Sequence, residues 1–140
     1  MQVENIQMGT VVDHIIAGHG TKVMKLLGID ENYPHRVAIM LHVPSKKMKT
    51  KDIVKIEGKL VSEETANILA LVAPGATVNI IKGGKVEKKY ESKLPKEIHG
   101  VGTCPNPKCI SRKETPKFLM DGKSYRCYYC ERLFKTEEIV

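Results

Sequence analysis

The sequence lacks several features that would assign a chain quickly to a class of protein. It contains no tryptophan and only 5% aromatic residues, so its core must be built from aliphatic side chains. No apolar run approaches the roughly 20 residues that a membrane-spanning helix needs. The opening segment MQVENIQMG has neither the basic nor the apolar region of a secretory signal peptide. We therefore expect a cytoplasmic globular protein with no membrane partner.

Motifs of common nucleotide-dependent enzymes are also missing. The chain has no P-loop and no G-x-G-x-x-G fingerprint, and no Ser or Cys nucleophile motif accompanies its one adjacent Asp-His pair. That pair, Asp13 and His14, interrupts an apolar strand pattern. It indicates either a ligand site or a pair of partnered side chains on an edge strand. A small enzyme built on this pair is the weaker hypothesis, because a general base needs a positioned substrate and partner.

Cysteine is scarce and confined to one stretch near the C-terminus. All four cysteines lie in a C-x4-C pair, Cys104 and Cys109, and a C-x2-C pair, Cys127 and Cys130. In a reducing compartment, closely paired cysteines favour metal over disulfides. Four thiolates would fill the tetrahedral shell of one zinc ion and leave no position for a reactive water, so we predict a structural site.

Other states of the four cysteines are two disulfides, four unrelated thiols or an iron–sulfur cluster. The segment of about 40 residues that carries them is too short to bury an adequate core without a staple. An Asp121-Gly122 hairpin signal between the pairs would bring them face to face. Zinc is the interpretation that accounts for the pairing, the hairpin and the small size together.

Hydrophobic periodicity predicts an α+β fold in the first two thirds of the chain. Ser62 is a good N-cap, Gly28 a plausible helix terminator and Gly83-Gly84 a hairpin turn. Pro44 is expected to end a strand, and residues 46–51 to form a basic loop. The predicted strands are 9–16, 35–45, 51–58 and two within 76–90, and the predicted helices are 21–28 and 63–73.

This order, β-α-β-β-α-β plus a hairpin strand, is the ferredoxin-like pattern. We assign residues 1–95 to such a domain and residues 96–140 to a small all-β zinc-binding domain. The polar stretch 91–102 marks the boundary between them.

The net charge of +7 indicates an anionic partner without identifying it. A zinc-ribbon protein that binds nucleic acid is one alternative. Against it, the zinc region lacks a dense basic stripe, and most lysines lie in the first domain. They fall in two clusters, which comprise Lys46, Lys47, Lys49, Lys51 and Lys55, and Lys82, Lys85, Lys88 and Lys89.

Taken together, these segments resemble the regulatory chain of aspartate carbamoyltransferase over essentially the whole length. QVENIQMGTVVDHI is similar to that family's N-terminal segment, and KDIVKIEG to its third strand. LALVAPGATVNII resembles its second helix and fourth strand, and CPNPKCIS and CYYC resemble its zinc knuckles. The sequence departs from the family in a short N-terminal arm and at Gly84, where relatives can carry an aromatic residue near the ribose.

The resemblance implies a non-catalytic subunit in pyrimidine biosynthesis. It implies an N-terminal domain that binds nucleoside triphosphates as allosteric effectors, typically CTP as inhibitor and ATP as activator. It also implies a zinc domain that docks on catalytic chains, and regulatory homodimers that bridge catalytic trimers. No nucleic acid is expected among the partners.

By position, the resemblance also implies the site residues. The zinc ligands are the four cysteines. Lys89 is implied as a phosphate partner, and Asn79 and Lys55 as effector contacts. The full set of implied nucleotide contacts is Val3, Glu4 and Ile6 in the arm; Val11, Asp13 and His14 on the first strand; Ile53 and Lys55 on the third; Asn79 and Ile81 on the fourth; and Val86 and Lys89 on the fifth.

Overall fold

Alternating apolar residues build a five-stranded sheet in the N-terminal part of the chain. The computed structural model describes residues 6–140, apart from the side chain of Arg112. Val12, Val54 and Val78 lie on three neighbouring strands, face the same side of the sheet and are fully buried. Because successive strand residues point to opposite faces, this alternation gives the sheet one core face and one face that is only half-buried.

The element order agrees with the predicted ferredoxin-like pattern. The sheet order is β2-β3-β1-β4-β5, with every neighbouring pair antiparallel. The α+β prediction with a fifth hairpin strand is therefore confirmed. The elements of this part are β1 (Met8–Ile16), α1 (Gly20–Leu26), β2 (Val37–Ser45), β3 (Lys49–Glu57), α2 (Glu63–Ile68), β4 (Thr77–Lys82) and β5 (Lys85–Glu91).

Local chemistry sets the start of α2 and the end of α1. The Ser62 hydroxyl accepts the Thr65 N–H and caps α2, as predicted. Gly28, at φ +72°, follows α1, and the Gly28 and Ile29 N–H groups bond back to Lys25 and Met24 in a Schellman arrangement. The predicted single helix over 63–73 is wrong in its second half, because Leu69–Leu71 tightens into a 3-10 turn. Apolar faces of both helices pack on the core face of the sheet.

Two local predictions around β2 and β3 are wrong. Pro44 does not end β2 but pairs with Thr50 inside it, which is possible because β2 is an edge strand and its proline needs no ladder donor. Residues 46–51 are not all loop, since β3 already begins at Lys49. The lysine-rich composition of this segment led to the loop prediction, although its last three residues belong to β3.

β1 is the central strand of the sheet, so Asp13 and His14 do not lie on an edge strand. The register between β1 and β3 shifts between Val12 and Ile15, and His14 adopts φ +58° at this bulge. A matching shift in β2, between Met40 and Val43, places His42 at φ +57°. Two bulges thus flank β3, and strict alternation breaks at both.

The C-terminal part forms a second, smaller sheet of order β6-β7-β8-β9. The buried residues of this part are Ile98, Ser111, Phe118, Tyr125 and Ile139, together with three of the four cysteines. The β7–β8 hairpin turns through Gly122 and Lys123, one residue later than the predicted pair, with Gly at φ +63° in the first position. The elements are β6 (Glu97–His99), β7 (Lys117–Asp121), β8 (Ser124–Cys127), β9 (Leu133–Phe134), a 3-10 turn at Ile110–Lys113 and the short helix α3 (Thr136–Ile139).

The chain divides into two compact units, Met1–Lys93 and Leu94–Val140. The polar stretch 91–102 is not simply a connector, because Glu97–His99 within it forms β6. The longest helix in the described part of the chain has seven residues, far too few to cross a bilayer.

Candidate functional site

The four cysteine sulfurs converge in the C-terminal unit. All four Sγ atoms lie within 4.8 Å of one another. Cys104 Sγ is 3.7 Å from Cys130 Sγ, and Cys109 Sγ is 3.6 Å from Cys127 Sγ. A disulfide would need about 2.05 Å. Four thiolates at about 2.3 Å from a zinc ion stand about 3.8 Å apart in a tetrahedron, so the cluster already has the dimensions of a zinc shell.

The two sides of this cluster are positioned by different local structures. Cys127 ends β8 and pairs with Phe118 of β7, so the β7–β8 hairpin positions the C-x2-C pair. Cys109 sits at the start of the 3-10 turn Ile110–Lys113, where its sulfur accepts the Ser111 N–H at 3.5 Å. The predicted convergence of a C-x4-C and a C-x2-C knuckle through a hairpin is what the structure shows.

The thiols are electrostatically unequal before any metal binds. The Ser111 hydroxyl donates to Cys109 Sγ at 3.0 Å and lowers the pKa of that thiol to about 6. Burial raises the pKa of Cys104 to about 12, and burial also raises the pKa of Cys127. A buried thiol with a raised pKa is held as a thiolate only if a cation compensates its charge.

This donor set fits one structural zinc ion. Cys104, Cys109 and Cys127 are buried and Cys130 is half-buried, so the ion would be shielded from solvent. All four ligand positions are taken by sulfur, which leaves none open for a water or a substrate. When bound, zinc supplies cross-linking and charge compensation, and the surrounding residues only hold and orient the sulfurs.

A second constellation lies on the half-buried face of the five-stranded sheet, here called the open face. Val11 of β1 pairs with Lys55 of β3 and with Asn79 of β4, and Asn79 pairs with Lys89 of β5. Directly paired residues share a face, so these four side chains form one row across four strands. The structure thus brings together residues that the sequence places up to 78 positions apart. Helices α1 and α2 pack on the other face.

Asp13 and His14 stand at the end of this face where β1 bulges. Asp13 Oδ1 accepts the His14 N–H at 2.6 Å and pairs with Lys51 Nζ at 3.0 Å. His14 Nδ1 lies 3.2 Å from Thr77 Oγ1. Both side chains are therefore partnered, and neither has the geometry of an isolated acid–base pair.

Of the remaining implied contacts that the structure describes, Ile53 lies on β3 opposite the β1 bulge, and Ile6, Ile81 and Val86 lie toward the other end of β1. Ile53 is half-buried on β3, Ile81 is buried on β4, and Val86, its β5 partner, is 57% exposed. Ile6 is half-buried just before β1. Val3 and Glu4 lie outside the described residues. The role of this whole set in nucleotide binding stays a prediction.

Comparison with known proteins decides the family. Residues 1–93 match the model of the aspartate carbamoyltransferase regulatory chain, allosteric domain, and residues 96–140 match that of the same chain's metal binding domain. The chain belongs to the family of aspartate carbamoyltransferase regulatory chains. Regulatory chains from Pyrococcus furiosus and Thermococcus gammatolerans are 49% and 46% identical, each across 100% of this chain and 96% of the relative. The regulatory chain of Methanococcus maripaludis strain S2 is 45% identical across 97% of this chain and 94% of its own.

The family membership establishes the role at the level of the subunit. This regulatory chain is a non-catalytic component of a carbamoyltransferase in pyrimidine biosynthesis, with an allosteric domain and a metal-binding domain. Its partner is the catalytic chain. The metal-binding domain contains the four-cysteine cluster, which confirms the predicted structural zinc.

Sequence reasoning did not single out three residues that organise these sites. Asp52 is fully buried and accepts N–H groups from Gly18, Gly20 and His42. Ser111 supports Cys109, and Lys51 pairs with Asp13. Lys51 was named only as a member of a lysine cluster, although strand parity places it on the same face as Ile53 and Lys55 in the predicted strand 51–58.

Proposed function

We propose that the N-terminal unit binds nucleoside triphosphates, CTP and ATP, on its open face as allosteric effectors. The observation that carries this proposal is the cross-strand row Lys55, Val11, Asn79 and Lys89. It offers an amide flanked by an apolar side chain and, at both ends, ammonium groups suited to phosphate. An effector acts by binding more tightly to one state of the whole assembly than to the other.

Lys89→Ala tests this proposal against a neighbouring control. Lys88 is the preceding residue and is also exposed, but it pairs with Ile80 on the other face of the sheet. In calorimetric titrations of the full chain with CTP and with ATP, we expect Lys89→Ala to weaken binding about tenfold and Lys88→Ala to leave it within about twofold. Equal losses would reduce the effect to net charge, and no binding by the parent chain would refute the effector role.

We further propose that the zinc unit docks on the catalytic chain. Ile110, directly after Cys109, is 61% exposed, and Tyr128, between Cys127 and Cys130, is 54% exposed. Apolar side chains held outward by a closed metal site are typical of a preorganised interface.

Chelation separates the two roles. We expect removal of zinc to abolish co-purification of the regulatory chain with the catalytic chain while nucleotide binding by the regulatory chain persists. Unchanged association after verified zinc loss would argue against docking through this unit.

Two regulatory chains are proposed to pair as a homodimer that bridges catalytic trimers. The β2 edge of the sheet carries Leu41, which is 47% exposed, whereas the β5 edge carries Lys85, Lys88 and Lys89, which repel a like edge. We therefore place the homodimer contact at β2. Leu41→Lys should shift the sedimentation coefficient of the regulatory chain toward that of a monomer.

We also propose that the protein is located in the cytosol, since reducing conditions there keep the four thiols available for zinc.

A further inference from the structure

The chain segment that precedes β1 follows the tip of the β4–β5 hairpin. The ladder between β1 and β4 ends with Met8 opposite Lys82. One residue earlier, the Gln7 carbonyl oxygen accepts the Gly84 N–H at 2.9 Å, which adds a bond to the turn beyond the end of the ladder. The direction in which the chain leaves the sheet is therefore set by the hairpin.

The absence of a side chain at position 84 is part of this contact. A Cβ on Gly84 would lie 3.3 Å from Gln7 Oε1 and 3.5 Å from Gln7 Nε2. The Gln7 amide thus lies in close contact with the position that a Cβ on residue 84 would take. Gly83 differs, because nothing lies within 4 Å of the position of its Cβ. Of the two glycines in the turn, only Gly84 lies against the Gln7 side chain.

This contact adjoins the arm end of the predicted effector site. Ile6 follows the same path, and its Cγ2 atom approaches to 3.0 Å the position that a Cβ on Gly9 would take. Gly9 pairs with Ile81, and Ile81 pairs with Val86. Moving Gln7 would therefore move Ile6 relative to two other residues of the site.

We propose that the contact between Gln7 and Gly84, here called the latch, positions Ile6 at the effector site. Gln7 acts here as a positioning residue, and Gly84 favours its position because a Cβ on residue 84 would make the Gln7 amide shift by a few tenths of an ångström. This proposal rests on the proposed nucleotide binding. It assigns to the tip of the β4–β5 hairpin the role of setting the geometry of the effector site around Ile6.

Gly84→Ala and Gly83→Ala are a matched pair of tests. The two glycines have φ values of +75° and +60°, so alanine introduces a comparable left-handed strain at either position. Only Gly84→Ala also pushes on Gln7. In titrations of the full chain with CTP and ATP, we expect Gly84→Ala to weaken binding about fivefold and Gly83→Ala to leave it nearly unchanged. Adding Gln7→Ala to Gly84→Ala should restore part of the loss, because the displaced side chain is gone.

Exchange of the residue-84 amide hydrogen provides a readout that does not depend on nucleotide. It should be protected in the parent and in Gly83→Ala, and should exchange at least about tenfold faster in Gly84→Ala. Equal nucleotide affinity in the two alanine variants, or rapid exchange in the parent, would overturn the latch while leaving effector binding intact. A parent chain that binds no nucleotide would instead overturn the proposed function together with the positioning role.

Discussion

At the scale of single residues, the buried polar side chains of the N-terminal unit hold backbone segments in place. Thr10, fully buried, donates to the Lys59 carbonyl at 2.6 Å and accepts the Val61 N–H at 3.2 Å. Ser92 donates to the Ala73 carbonyl at 2.9 Å. Each satisfies backbone groups that no strand or helix ladder reaches, which is a requirement for burying an irregular segment.

Asp52 is the strongest of these anchors, so Asp52→Asn should destabilise the N-terminal unit. Its Oδ2 accepts two N–H groups at 2.8 Å and its Oδ1 accepts a third at 2.9 Å. An asparagine has only one oxygen and would turn N–H groups toward at least one of these donors. We expect a loss of about 2–3 kcal/mol in the free energy of unfolding, measured by urea denaturation. The exposed cap Asp30, which bonds Asn32 N–H, provides the control Asp30→Asn, expected within about 0.5 kcal/mol of the parent.

Ser111→Ala should weaken the zinc site without removing a ligand. The variant loses the 3.0 Å hydrogen bond to Cys109 Sγ but keeps the backbone contact. Hydrogen bonds of this kind to a metal ligand are worth about tenfold in metal affinity. Competition with a coloured chelator at fixed pH measures the change. Ser111→Thr, which retains the hydroxyl, should recover most of the affinity, and identical affinities for all three proteins would contradict the role of Ser111.

At the scale of elements, strands and turns follow directly from sequence pattern, and the irregularities do not. Alternation gave the five strands of the first sheet, and Gly83-Gly84 gave the hairpin, because both signals are local. The bulges at His14 and His42 arise from how β1 and β2 meet β3 and Asp52, which only the tertiary structure determines. Pro44 was misread for the same reason, since its tolerance depends on β2 being an edge.

Gly9→Ala should test how closely β1 and β3 approach. A Cβ on Gly9 would lie 2.1 Å from the Ile56 carbonyl oxygen, so the two strands would have to separate. We expect a loss of about 3 kcal/mol. Gly28→Ala is the comparison, because nothing lies within 4 Å of its Cβ and only the φ of +72° is strained, at a cost of about 1 kcal/mol. Similar changes in the thermal unfolding midpoint for the two variants would show that β1 and β3 can separate at little cost.

At the scale of the whole molecule, the two units draw their stability from different sources. The N-terminal unit has a continuous aliphatic core that includes Val12, Val23, Val54 and Leu69. In the C-terminal unit the described core is small, and three of its buried residues are cysteines. Structural zinc contributes about 10 kcal/mol or more to the folding of such a unit. The short Cys-bearing segment and its Cys spacing indicate the need for a metal, whereas the cross-strand row of Lys55, Val11, Asn79 and Lys89 depends on strand register, which the sequence alone does not specify.

Zinc removal should therefore unfold one unit and spare the other. In Cys127→Ala, or after exhaustive chelation, we expect backbone amides of β7 and β8 to lose hydrogen-exchange protection while those of β1, β3 and β4 keep it. The substitution removes one of four ligands, and the hairpin cannot hold the remaining sulfurs by itself. Protected amides in β8 after confirmed metal loss would show that the small core suffices.

The closed thiolate cluster also bears on how this subunit can diverge among species. Because the metal site stabilises the C-terminal unit, we expect a neighbouring exposed position such as Ile110 to contribute little to its stability. Substitutions can accumulate at such positions while the C-terminal unit stays folded. If the zinc unit docks on the catalytic chain as proposed, its contact surface can change together with that partner while the metal keeps the fold beneath it constant.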